Sequence, residues 1–189
     1  MNPLRITNKI AASGDRNPHR RHVEDITHVM MHRIEVFDDG VLCDSAESIA
    51  GQFRAHPEWL GTPDMPYPLI VTTSGGIEQA CPLTTVTPHA WKWNERALAV
   101  GWVGDFRTSE PTNQQAACAN IMLPILVQAF GFEADNLVGH TEPGLEKATR
   151  HPEKVCPGKH MDPVSLRRLV EVGLQAKARE TLREAGMVF

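Results

Sequence analysis

The stretch from Ile26 to Val36 constrains the fold more than any other, because it is apolar and rich in β-branched residues. Ile26, His28, Met30, His32 and Ile34 fall on one parity, so the run reads as a core strand with His32 near its end. A core strand needs neighbours in a sheet, and four further segments supply them. Leu69 to Thr73 and Ile77 to Cys81, joined by Ser74-Gly75-Gly76, read as a β-hairpin, since glycine supplies the positive φ of a tight connection. Ala97 to Val103 reads as another buried strand, and Leu137-Val138 as a short one leading into His140.

Helical patterns alternate with these strands. Asp44 or Ser45 caps a helix to about His56, with Ile49, Ala50, Phe53 and Ala55 as its stripe and Pro57 as its stop. Thr112 to Phe130 carries an apolar helical pattern ending at Gly131, with a kink expected at Pro124. Ser165 to Ala185 predicts a terminal helix. Strands and helices mixed in this way imply an α/β (α+β) fold, a central mixed β-sheet flanked by helices. A chain of 189 residues with 41% hydrophobic residues fits a single domain with a real core. Residues 1–23 read as a loosely packed N-terminal arm and residues 24–189 as the folded domain. The basic cluster Arg16, His19, Arg20, Arg21 and His22, beside Asp15, Glu24 and Asp25, reads as a solvated segment of that arm.

A formal net charge of −4 gives no global positive field, which argues against a nucleic-acid partner. The N-terminus lacks a continuous apolar h-region, and no stretch approaches the ~18 apolar residues of a membrane span. Synthesis in the cytoplasm without a signal peptide and no membrane insertion are therefore expected, and a monomer is expected as well. The four cysteines are expected to be reduced, with Cys43, Cys81 and Cys118 serving as small buried hydrophobes.

Three residues stand out as candidate metal ligands: His32 at its strand end, His140 in Val138-Gly139-His140-Thr141-Glu142, and Cys156 in Lys154-Val155-Cys156-Pro157-Gly158. Imidazole and thiolate suit zinc, and a catalytic site uses three protein ligands and leaves a position open. His28, His56, His151 and His160 read as structural; His28 lies four strand residues from His32, roughly 13 Å, too far to share an ion. The wide sequence spacing matches no local zinc-finger pattern, and no cysteine pair has the short spacing of a structural zinc or redox site.

Taken together, Gly139-His140 followed by Lys154-Val155-Cys156-Pro157-Gly158 resembles the type 2 N-acetylmuramoyl-L-alanine amidases, which include phage lytic amidases and peptidoglycan recognition proteins. The resemblance covers about Ile26 to Pro163. It includes the strand ending in His32, Tyr67 before the hairpin, Pro88-His89-Ala90 with Asn94, and the run from Ala99 to Phe106. It implies a zinc amidase domain with His32, His140 and Cys156 as the Zn2+ ligands, Lys154 and Tyr67 as catalytic groups, and His89 and Asn94 along the substrate groove. The substrate it implies is peptidoglycan or a muropeptide, cut between N-acetylmuramic acid and L-alanine by a phage-type or prophage lytic enzyme acting at the wall after release. The alternatives are a muropeptide-binding module without activity and a cytoplasmic recycling amidase. Trp91 and Trp93 are open to two roles, stacking on sugars or packing. This chain has Tyr67-Pro68-Leu69 where the family has an aromatic-rich run, and Arg33 where it has a small hydroxyl residue.

Overall fold

The computed structural model describes residues 6–13, 17–59, 65–142 and 155–184. Its strands are β1 (Ile6–Asn8), β2 (His28–Ile34), β3 (Phe37–Asp38), β4 (Val41–Leu42), β5 (Leu69–Val71), β6 (Ile77–Gln79), β7 (Ala97–Val103) and β8 (Leu137–Gly139). Its α-helices are α1 (Ile10–Ser13), α2 (Ala46–Ala55), α3 (Asn113–Ala129) and α4 (Pro163–Glu184). Six strands form one sheet in the order β1-β6-β5-β7-β2-β8, while β3 and β4 form a separate antiparallel ribbon. Strands β5, β7, β2 and β8 are parallel, β6 runs antiparallel to β5, and β1 is parallel to β6. The sheet is mixed, as the alternation of patterns implies.

Strand β2 lies between β7 and β8, and both of its faces are covered. Val29 and Met31 face the larger core, with Leu98, Val100 and Trp102 of β7 and Met122, Leu123 and Val127 of α3. Ile34 faces the opposite side, where Ile49, Ala50 and Phe53 of α2 cover it, and Met30 packs there with Ala90 and Ala97. Val29, Met30 and Met31 are fully buried, and each side chain of that size stabilises the fold by about 1.5–3 kcal/mol. Helices α3 and α4 thus close one face. On the other face α2 covers one end and residues 87–94 the other, with His32 at the middle of β2 between them.

Helix ends follow the sequence signals. Ser45 caps α2 by accepting from the Ser48 amide, and Thr112 and Gln115 form a reciprocal capping box at the start of α3. Gln115 also donates to the Val103 carbonyl at 2.8 Å, fastening α3 to the end of β7. Pro124 lies inside α3 and is buried; α4 approaches it so closely that a Cβ at Gly173 would lie 2.8 Å from its Cγ.

One segment departs from the expectation of a loose arm. Residues 6–8 add to the sheet edge beside β6, held by backbone hydrogen bonds although all three are exposed. Arg21, read as a solvated cation, is only 7% exposed and donates to the carbonyls of Asn94 (2.5 Å) and Leu83 (3.4 Å). Carbonyl acceptors at hydrogen-bond distance are what let a guanidinium leave water. Its neighbour His19 stays exposed, 3.6 Å from Glu95.

Candidate active site

The site assembles on the middle of β2, between the stretch covered by α2 and the stretch covered by residues 87–94. His32 is 2% exposed, and its register partner on β7 is Gly101. A Cβ at Gly101 would fall 2.4 Å from Ile34 Cδ1 and 2.9 Å from Tyr67 Cγ, so the absence of a side chain there makes room for the Tyr67 ring. That ring sits 5.4 Å from the His32 ring, centroid to centroid.

His140 comes next to His32 through the sheet itself. The β2–β8 ladder pairs Met31 with Gly139, and the His140 amide donates to the Met31 carbonyl at 3.2 Å, extending the ladder one residue. The two imidazole centroids are then 4.6 Å apart. Gly139 is required by packing: a Cβ would lie 2.7 Å from Pro163 Cγ and 3.0 Å from Pro157 Cδ. Its smallness lets the Cys156-Pro157 segment and the start of α4 close over the end of β8.

Thr141 then fixes the third residue. Its hydroxyl accepts from the Cys156 amide at 2.8 Å and donates to the Cys156 carbonyl at 3.0 Å, and its own amide donates to the same carbonyl at 3.0 Å. Glu142 continues the scaffold by accepting from the Gly139 amide at 3.0 Å and from Arg167 of α4. In this way the residue after His140 sets the position of Cys156.

One ligand atom from each of His32, His140 and Cys156 lies within 4.8 Å of the others, and Cys156 Sγ is 3.9 Å from His32 Nδ1. A tetrahedral zinc with Zn–S of about 2.3 Å and Zn–N of about 2.0–2.1 Å separates its sulfur and nitrogen ligands by about 3.6 Å. The donor set can therefore hold a metal ion of that size with only small side-chain movements. Burial, followed by the neighbouring His140 and His89, holds the His32 imidazole well below its usual range, in the neutral form a metal ligand needs. Burial also raises the Cys156 thiol to about 11, opposed by the Arg33 backbone amide and guanidinium. Binding a cation there must release that proton.

The remaining sequence-derived site residues fall into three situations. Tyr67 belongs to the cluster; loss of hydration first, and the Cys156 thiolate second, push its phenol above the usual range, so it stays protonated. His89 is buried rather than presented to a groove, with Nδ1 3.1 Å from His32 Nε2 and Nε2 3.1 Å from the Ala97 carbonyl. The Asn94 carboxamide oxygen turns inward, accepting from the His89 (3.0 Å) and Ala90 (2.7 Å) amides. Lys154 lies outside the described residues, as does His151.

Other readings resolve individually. His28 packs edge-on against Trp93, whose ring also carries Arg96 at 4.1 Å, so Trp93 packs, whereas Trp91 is 51% exposed. His56 stacks on Trp59, and His160 pairs with Glu110 at 2.6 Å. All four cysteines are free, and Cys43, Cys81 and Cys118 are buried. Arg33, noted in the sequence only as a departure from the family, bonds to the Val155 carbonyl and lies 3.4 Å from Glu35. Its position directly after His32 was the available signal. A cavity of about 530 Å³, lined by Thr141, Glu142, Cys156, Pro157 and Pro163 among others, opens beside Cys156.

The N-acetylmuramoyl-L-alanine amidase family model matches residues 22–159, a span containing every residue of this cluster. The chain belongs to the N-acetylmuramoyl-L-alanine amidase family. A peptidoglycan-recognition protein of Drosophila simulans is 27% identical over 99 residues, 52% of this chain and 50% of that protein. The chain thus spans about half the length of the curated relative it matches. Among solved structures, this amidase-family chain is similar to the N-acetylmuramoyl-L-alanine amidase LysC from Clostridium intestinale, with a TM-score of 0.63, 14% identity, and coverage of 89% of this chain and 99% of that one. Drosophila PGRP-LB gives a TM-score of 0.60 at 19% identity, covering 83% and 89% of the two chains. The Ph2119 endolysin of a Thermus scotoductus bacteriophage gives 0.59 at 16% identity, covering 88% and 99%. At these identities the three likenesses establish the fold. Among the described residues no helix is long and apolar enough to cross a membrane.

Proposed function

We propose that this chain is a zinc-dependent amidase that hydrolyses the bond between N-acetylmuramic acid and the first L-alanine of peptidoglycan. The observation that carries the reading is the convergence of His32, His140 and Cys156, with ligand atoms within 4.8 Å of one another inside the family match. When bound, zinc supplies Lewis acidity and activates water for attack on a carbonyl. The chain's residues supply the rest. Tyr67, protonated beside His32, donates a hydrogen bond to the oxygen on which charge develops, and Lys154 is proposed as a second donor there. Gly101 holds open the space that lets Tyr67 reach this position.

Peptidoglycan or a soluble muropeptide is the proposed partner, taken by a monomer at the wall after release. A PGRP-LB variant has been solved in complex with tracheal cytotoxin, and the Ph2119 endolysin shares the fold, which supports wall fragments as ligands and a lytic role. The test is digestion of purified peptidoglycan by wild type and Cys156→Ala, with bound zinc quantified and new amino termini identified. Alanine amino groups released by wild type, and lost together with zinc in the variant, are expected. A zinc-loaded wild type that binds muropeptides without cutting them would replace this reading with a recognition module.

A further inference from the structure

His89 is a buried polar side chain in a loop, and neither of its ring nitrogens faces solvent or the groove. Its Nε2 meets the Ala97 carbonyl, which can only accept, so that nitrogen carries the proton. A neutral imidazole has one N–H, which leaves Nδ1 as an acceptor toward His32. The donor across the 3.1 Å contact is then His32 Nε2–H, and the lone pair of His32 is confined to Nδ1. Nδ1 is the atom 3.9 Å from Cys156 Sγ.

We infer that His89 is a positioning residue that fixes the tautomer and ring orientation of His32, through a relay from His32 Nε2–H to His89 Nδ1 and from His89 Nε2–H to the Ala97 carbonyl. The proposal rests on the zinc-amidase reading, and it replaces the substrate-groove role expected of His89. The two rings meet edge to face, at 89° with centroids 5.1 Å apart, so His89 abuts His32 without stacking on it. The loop that carries His89 is itself fastened. Asn94 Oδ1 takes the His89 and Ala90 amides, and Arg21 reaches across to the Asn94 carbonyl. Residues from the N-terminal segment, the loop and β7 therefore act together on one ligand of β2. A metal-binding histidine whose second nitrogen has a fixed acceptor loses no freedom when the metal arrives, and removing such partners typically weakens metal binding about 10–100-fold.

The test uses full-length protein labelled with 15N-histidine, as wild type, His89→Gln and His89→Leu. Glutamine keeps an acceptor toward His32 and a donor toward Ala97, whereas leucine keeps neither. In zinc-free wild type near neutral pH, imidazole NMR should show His32 protonated at Nε2. His89→Gln should retain that tautomer and bind zinc within a few-fold of wild type in chelator competition. His89→Leu should show a mixed tautomer and zinc affinity lowered about 10–100-fold, with the circular dichroism of a folded protein. An Nδ1–H tautomer of His32 in wild type, or undiminished zinc affinity in His89→Leu, overturns the proposal. If His89→Leu does not fold, the wild-type tautomer and the glutamine variant still decide. None of these readouts uses peptidoglycan, so a failure to cut the wall sinks the amidase reading alone.

Discussion

Acid should destabilise the zinc-free protein well before its carboxylates titrate. Burial first, and His140 second, push the His89 imidazole down to about 3, against about 6.5 in an unfolded chain. Below about pH 6.5 the unfolded chain takes up a proton that the folded one refuses until about pH 3. Stability is therefore fully present above the unfolded value, falls as the pH drops through this window, and levels off beneath it. At pH 5, about 1.5 pH units below the unfolded value, His89 alone removes about 2 kcal/mol. His32, held low by the same burial, acts in the same direction. Urea unfolding of chelator-treated wild type and His89→Gln at pH 7.5 and 5.0 measures this directly. With a slope of about 2 kcal/mol/M, the wild-type midpoint should fall by about 1 M or more, and the variant by about 1 M less. Equal pH dependence in the two proteins would refute the reasoning, because it would mean that His89 protonates in the folded state as easily as in water.

Three further outcomes are expected. Gly101→Ala forces a methyl against Ile34 and Tyr67 and should cost about 1–3 kcal/mol in thermal or urea unfolding, with activity lowered through the displaced Tyr67 ring; a variant as stable and active as wild type would count against this packing. Tyr67→Phe should keep zinc while kcat falls on the order of 100-fold, and an unchanged kcat would remove Tyr67 from the chemistry. Thr141→Val leaves the Cys156 amide without its acceptor, which should cost about 1–2 kcal/mol locally and weaken zinc binding in chelator competition; unchanged affinity would show that Cys156 is placed by other contacts.

The parts of the fold written in hydrophobic pattern were legible in the sequence. β2, β7, the β5–β6 hairpin and α3 each bury enough apolar surface for periodicity to reveal them. β1 was not, since Ile6, Thr7 and Asn8 are all exposed and join the sheet through backbone hydrogen bonds, which leave no mark on side-chain pattern. The convergence of His32, His140 and Cys156 was legible through the family resemblance carried by Gly139-His140 and the Cys156-Pro157 context, a context kept sterically exacting by the crowding around Gly139. His89 was noticed, but its contact with His32 was not foreseen. Its partner His32 is 57 residues away, and no single sequence states which buried acceptor a histidine will meet. Arg21 was hidden by the same kind of distance, 73 residues from the carbonyl that takes it.

The three proposed metal ligands belong to regions of unequal local stability. His32 rides on an interior strand bonded on both sides, whose amides should exchange with solvent only when the whole domain opens. Cys156 hangs from Thr141 beside an open cavity, so its amide should exchange through local opening. A metal held by these residues would be least protected on its cysteine side.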